Sequence, residues 1–308
     1  VIYGLALGDA LGWPVEMLSR PQILAKYGRA GITEPPRPAL STDETQMSAA
    51  LAEALIEAGE ADLDTLMAAL TRQFIGWKHN PTTGLRAPGA ITMRGLNALE
   101  RGAPWREAGV KDSKGCGSCI RVAPVGYFYQ HAPDQLREIA WAQSLLTHRH
   151  PAAEAAAIAA AYVIKLALDA TPPNDYLPRL SDFTKGLSEE FDAALRRAQE
   201  ALAWPDTEAA LNHIGPTRGG GWSAEEAVGM ALFCVLRHPD DFVSAVTLAA
   251  NISGDSDSVA SLTGGILGAR LGLDGLPAQW VVRLENVDYL TQLARRLAAH
   301  KERHFPAP

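Results

Sequence analysis

The stretch ETQMSAALAEALIEAG, residues 44–59, decides the fold class. Met47, Leu51 and Leu55 fall on one stripe at helical spacing, and Gly59 supplies the stop. The same Ala- and Leu-rich texture returns at 223–236, where Val228, Ala231, Leu232 and Val235 sit at i, i+3, i+4 and i+7. Further helical stretches are read near 135–146, 151–168, 188–203, 241–251, 257–272 and 288–300. Alternating strand patterns of any length are missing. VAPVGYFY at 122–129 comes nearest, and it fits buried helix equally well. The reading is all-α. Pro and Gly cluster at 28–40, 80–89, 113–117, 171–175 and 215–222 as loops between helices, and none resembles a flexible interdomain linker. A single domain over residues 1–308 is expected.

Composition narrows the function classes. Among 308 residues, 28 Lys and Arg face 35 Asp and Glu, a formal charge of −7. With 47% hydrophobic and 20% charged residues the chain has globular, not disordered, proportions. Such a chain can bury a sizeable core without disulfide or zinc staples. Net negative charge argues against a nucleic-acid backbone or an anionic membrane as partner, since both call for clustered Lys and Arg. No apolar run is read as reaching the roughly 18–20 residues that cross a bilayer. Cys116, Cys119 and Cys234 cannot all pair, so a reducing, cytoplasmic setting is expected. The chain starts at Val1 with neither Met nor a signal peptide's basic start, which is expected from loss of a short N-terminal piece.

Two acidic clusters carry the chemistry. Ser41-Thr42-Asp43-Glu44-Thr45 precedes the helix of Met47, and Gly254-Asp255-Ser256-Asp257-Ser258 precedes an apolar helix. Either alone reads as a helix cap, since Ser, Thr and Asp suit helix starts and acids suit the dipole. The second offers more than capping needs: two carboxylates and two hydroxyls within four residues. Like charges packed that closely cost free energy unless a cation neutralises them. Oxygen-only clusters with interleaved hydroxyls form the ligand set of a hard divalent ion such as Mg²⁺ or Mn²⁺. Zinc would prefer His and Cys at close spacing and is not expected. Converging clusters could hold two metals about 3.5–4 Å apart.

Three other segments matter. Gly4, Gly8, Asp9, Gly12 and Glu16 form G-x-x-x-G-D-A-x-G-x-x-x-E, whose glycines permit close helix packing and whose Glu16, after Pro14, projects from a turn. Ser113-Lys114-Gly115-Cys116-Gly117-Ser118 has the composition of a loop offering backbone N–H groups to a phosphate, with Arg121 as phosphate partner or buried structural ion pair. Its C-x-x-C is a weak redox or metal signal. His148 and His150 precede an Ala-rich helix, as ligand contacts or as polar surface residues.

Together these segments resemble the ADP-ribosylglycohydrolase family. The matching pieces are GLALGDALGWPVE at 4–16, STDETQM at 41–47, RAPGAIT at 86–92, SKGCGSCIRVAPVG at 113–126, LTHRHP at 146–151, GGGWSAEEAVGMAL at 219–232 and NISGDSDSVASLTGGILGA at 251–269. The resemblance implies a compact multi-helix orthogonal bundle with a binuclear Mg²⁺ or Mn²⁺ centre. By position it assigns metal ligation to Thr42, Asp43, Glu44, Asp255, Asp257 and Ser258. It implies that Ser113, Lys114, Gly115, Cys116 and Gly117 wrap the diphosphate of ADP-ribose, and that His148 and Trp222 approach the same ligand. Glu16 takes the position of an acidic residue that in some members touches metal or substrate. Glu44 stands where Asp is commoner, Ser258 where Thr is, and Cys116 where many relatives have Asn.

The reaction implied is hydrolysis at C1″ of ADP-ribose through an oxocarbenium-like transition state. Asp43 is the first candidate proton carrier, followed by Glu16 and Glu44. ADP-ribosyl-arginine is the expected substrate, on a protein or a small molecule, with ADP-ribose as product. ADP-ribosyl-serine, O-acetyl-ADP-ribose, a non-catalytic ADP-ribose-binding relative and a two-metal phosphoesterase are the alternatives.

Overall fold

The computed structural model describes residues 1–80 and 85–305, so the Pro–Gly cluster at 80–89 lies partly outside the described residues. The described chain is helical almost throughout, as expected. The centre is a crossing between the first helix, Ile2–Gly12, and the helix Ser256–Leu271. Glycine permits that crossing. A Cβ on Gly4 would lie 2.1 Å from the carbonyl oxygen of Gly264, and one on Gly8 would lie 2.0 Å from that of Ala260. With no side chain between them the two backbones touch, which only glycine allows. Leu5, Leu7 and Leu11, on the remaining faces of the first helix, are buried, each worth about 2 kcal/mol of apolar transfer.

The other expected helices are present with ends displaced by a residue or two, except the last, which runs four residues past its expected end. They include Asp43–Ala58, Pro133–Leu145, Ala224–Arg237, Phe242–Ala250 and Val287–His304. The ambiguous segment at 122–129 resolves as buried helix, Ala123–Phe128, opened by Pro124 in its first turn. Pro151–Leu168 corrects one expectation. It has 18 residues and a mean hydropathy of 1.5, long and apolar enough to cross a membrane, yet 72% of it is buried inside this fold. It is a core helix, with small Ala side chains on nearly every face.

Helices at Arg20–Tyr27, Leu63–Lys78, Ala90–Glu100, Tyr176–Thr184 and Thr207–Ile214 were not expected. Two-residue strands, Val110–Lys111 and His148–Arg149, pair in parallel. That pairing seats His148 beneath the 113–117 loop.

Candidate active site

Asp9 is the only ionisable side chain of the first helix apart from Tyr3, and it is completely buried. Its carboxylate accepts hydrogen bonds from the backbone N–H groups of Thr42 (2.9 Å) and Thr45 (3.2 Å) and from both of their hydroxyls. The helix Asp43–Ala58 is therefore capped by a side chain of a different helix, not by Thr42 at its own N-cap. The sequence reading gave this aspartate no site role. Its signal was present: a single carboxylate in an otherwise apolar helix must find partners or stay neutral.

Capped in this way, the helix turns Glu44 toward the second cluster. Ser258 Oγ donates to Glu44 Oε1 at 3.0 Å, joining residues 214 apart in sequence. Thr42 Oγ1 lies against the other oxygen, Oε2. Carboxylate oxygens of Asp9, Glu44 and Asp257 lie within 4.8 Å of one another, and so do those of Glu16, Asp255 and Asp257. Asp257 belongs to both groups. Gly12 makes room for this, since a Cβ there would lie 2.5 Å from Asp257 Cα. Asp43 adjoins the cluster without joining either group: its carboxylate accepts from the Gly89 backbone and its own N–H donates to the Arg86 carbonyl at 3.1 Å.

Burial is the first cause of every carboxyl shift here, with neighbouring carboxylates adding to it for Asp43, Glu44, Asp257 and Glu16. Asp9 is pushed up to about 6, Glu16 to about 7 and Asp43 to about 8. Glu44 and Asp257 rise well above the carboxylate range, and Asp255 rises too. Six acids brought together, five of them buried, disfavour their own charge, and a divalent cation removes that penalty. The donor set fits a hard cation: carboxylates and hydroxyls, with one thiol at the margin. That thiol belongs to Cys116, whose Sγ donates to Asp255 Oδ2 at 3.1 Å and meets Ser258 Oγ at 3.5 Å.

The 113–117 loop is tied to the 220–224 segment. Cys116 N–H donates to the Trp222 carbonyl at 3.2 Å, and Ala224 N–H to the Lys114 carbonyl at 2.8 Å. Gly221, at φ +86°, brings its backbone against Asp255, where a Cβ would lie 2.9 Å from that residue's Cβ. Gly115 and Gly117 lie directly on the His148 ring; a Cβ on Gly117 would stand 2.8 Å from its Cε1. His148 is buried and neutral, burial holding it down at about 3, and its Nδ1 meets Thr147 Oγ1 at 2.9 Å. It forms the floor of the loop. Trp222 Nε1 donates to the Arg218 carbonyl at 3.2 Å, and Ser113 is tied to Val110 through its backbone N–H.

Lys114 Nζ is paired with Glu225 at 2.9 Å and Glu190 at 3.0 Å. One expectation is corrected. Arg121 is neither phosphate partner nor ion pair. It is fully buried, donating to the Gln143 side chain (2.8 Å) and carbonyl (2.8 Å) and to Thr147 Oγ1 (2.9 Å), with its guanidinium over the Phe74 ring. A cavity of about 470 Å³ opens nearby, but its walls include Ser41 and Thr45 and none of the clustered acids. It adjoins the site and is not the site.

An all-helical fold whose central crossing brings acidic side chains from distant segments together defines a class, that of helical proteins with a carboxylate site fit for hard cations. Within that class the chain belongs to the ADP-ribosylglycohydrolase family, whose model matches residues 1–307. It is an ADP-ribosyl glycohydrolase. A protein of Archaeoglobus fulgidus is 32% identical over 305 residues, covering 96% of this chain and 94% of that protein. The "ADP-ribosylarginine hydrolase Tri1" of Serratia proteamaculans is 27% identical, covering 96% of this chain and 77% of that protein. A solved "ADP-ribosylglycohydrolase-related protein complex" superposes with a TM-score of 0.75 at 27% identity, over 97% of this chain and 96% of that one.

Proposed function

We propose that this chain hydrolyses the C1″ N-glycosidic bond of ADP-ribosyl-arginine with the help of two Mg²⁺ or Mn²⁺ ions. One observation carries the reading: the Ser258–Glu44 hydrogen bond of 3.0 Å, which closes two distant acidic clusters into one pocket. Asp9, Glu44 and Asp257 would hold one ion and Glu16, Asp255 and Asp257 the other, with Thr42, Asp43 and Ser258 completing the shells. Bound there, the ions supply charge that orients ribose hydroxyls and acidifies a water.

The chain's own residues do the rest. Glu16 follows the short turn Trp13–Val15 and is half-buried at the rim. Its carboxyl, near 7, suits proton transfer to or from a leaving group at neutral pH. Asp43 and Glu44 are enclosed, which favours a role with the cations over the role of proton carrier. The loop of Gly115, Cys116 and Gly117, packed on the neutral His148 ring, would offer the N–H groups of Gly115 and Gly117 to a diphosphate, that of Cys116 being held by the Trp222 carbonyl. Arginine as acceptor is supported by the name of the Serratia relative and by a net charge of −7, which suits a guanidinium leaving group.

The test offers ADP-ribosyl-arginine, ADP-ribosyl-serine and O-acetyl-ADP-ribose, each with Mg²⁺ or Mn²⁺, and identifies products by mass spectrometry. ADP-ribose from the arginine conjugate, abolished in Asp257→Asn, is the expected result. AMP would move the attack to phosphorus, and binding without any product would make the chain a reader of ADP-ribose.

A further inference from the structure

A second cluster of ligating side chains stands outside the acidic pocket, at the far end of the helix Asp43–Ala58. Glu60, in the turn after that helix, faces His300 and His304 on the C-terminal helix Val287–His304. The two histidines are four residues apart, so they project from one face of the helix. The sequence thus carries H-x-x-x-H at 300–304, which corrects the expectation that no such pattern is present and that zinc has no site here. One oxygen of Glu60 and one nitrogen of each imidazole lie within 4.8 Å of one another.

We propose that Glu60, His300 and His304 form a binding site for a borderline transition-metal ion, zinc above all, separate from the Mg²⁺- or Mn²⁺-type pocket. The donor chemistry argues for it: two imidazoles and a carboxylate are a zinc ligand set that leaves a fourth position for water. The spacing argues the same way. His300 Nε2 lies 2.7 Å and His304 Nε2 3.9 Å from different oxygens of Glu60, bracketing the separation of about 3.3 Å that tetrahedral bonds of roughly 2.0–2.1 Å require.

The first ligand is already oriented. His300 is nearly buried and stacks on Phe128, ring centroids 5.6 Å apart at 21°, so its ring has little freedom to lose on binding. Glu60 and His304 are exposed and free to adjust. Arg303 Nη2 meets His300 Nδ1 at 3.2 Å. With a metal on Nε2 the proton moves to Nδ1, and the exposed Arg303 side chain turns away. Both imidazoles face the one carboxylate, their ring centroids 4.5 Å apart. A metal here would tie the C-terminal helix to the helix that carries Asp43 and Glu44, closing a loop of 240 residues.

The test titrates Zn²⁺ by calorimetry into the full chain in excess Mg²⁺, with Asp257→Asn titrated alongside to identify any Zn²⁺ taken up by the acidic pocket. Wild type is compared with His304→Ala and Glu60→Gln, both at exposed positions that leave the fold and the acidic pocket intact. Wild type should take up one Zn²⁺ that each variant binds at least about tenfold more weakly, and Zn²⁺ should raise the melting temperature of wild type alone. Equal Zn²⁺ binding in all three proteins, or no Zn²⁺ binding by wild type under Mg²⁺, overturns the proposal. Hydrolysis of ADP-ribosyl substrates does not enter either outcome.

Discussion

Asp9 does two tasks with one carboxylate. It satisfies orphan N–H groups at the start of the helix Asp43–Ala58, and its oxygens reach Glu44 and Asp257. Asp9→Ala leaves buried donors at Thr42 and Thr45 unpaired, each costing about 1–3 kcal/mol. Chemical denaturation should therefore show a loss of several kcal/mol, and calorimetry should show weaker Mg²⁺ or Mn²⁺ binding. Asp9→Asn keeps one acceptor oxygen and should recover part of the stability but not the metal affinity. Recovery of both would reduce Asp9 to a cap. Gly117→Ala is a second residue-scale test, because its Cβ would press on the His148 ring. It should raise KM for the ADP-ribosyl substrate and also lower the melting temperature, because the ring and Thr92 Oγ1, 2.8 Å away as well, are both buried. The acids of the two clusters were legible in the sequence because D-S-D-S exceeds what any cap requires. Asp9 was legible only as a lone carboxylate in an apolar helix; its partners, 33 and 36 positions away, were not, since only the fold brings them close.

At the scale of elements, the contact between the first helix and Ser256–Leu271 decides where Asp9 and Asp257 stand. The four-residue glycine spacing was readable as a close helix contact; its partner, with Ala260 and Gly264 facing Gly8 and Gly4, was not. Gly8→Ala drives a methyl to within 2.0 Å of the Ala260 oxygen. The helices must part, at about 1–3 kcal/mol or more, and metal affinity should fall together with stability. Gly76→Ala is the matching control, an exposed position in the helix Leu63–Lys78 where a Cβ meets nothing within 4 Å. That variant should gain about 0.5–1 kcal/mol. A neutral Gly8→Ala in the same melts would mean that the crossing is slack. The helix Leu63–Lys78 was itself legible, with Asp62 as cap and Leu66, Met67, Leu70, Phe74 and Trp77 on its buried face, and it was passed over. Arg20–Tyr27 and Thr207–Ile214 were harder. Eight residues with one to three buried side chains are held by their tertiary neighbours more than by their own pattern.

Over the whole molecule, the buried acids set a dependence on pH opposite to that of ordinary surface carboxylates. Asp9, Glu16 and Asp43 titrate in the folded chain at about 6, 7 and 8, against ordinary values near 4, because burial disfavours their charge. Their folded-state values lie above their unfolded ones, so the stability that they permit is complete below about pH 4 and is lost as pH rises through about 6 to 8. His148 works from the other side. Its folded value, about 3, lies below its unfolded one, so it costs stability as pH falls below about 6.5. Above that point the buried Val1 amino group, held down at about 6, still gains stability up to about pH 8, and the several raised carboxyls outweigh that single group. In EDTA the melting temperature should therefore fall between about pH 6.5 and 8.5. Cation binding requires the carboxylates to shed their protons, so added Mg²⁺ should raise the melting temperature more at pH 8.5 than at 6.5. Calorimetry in buffers of different ionisation enthalpy should register proton release on binding near pH 7. A melting temperature flat across that range in EDTA, with equal increments from Mg²⁺ at both ends, would mean that the cluster is already ionised without a cation. The need for a dication in this pocket would then have lost its physical cause.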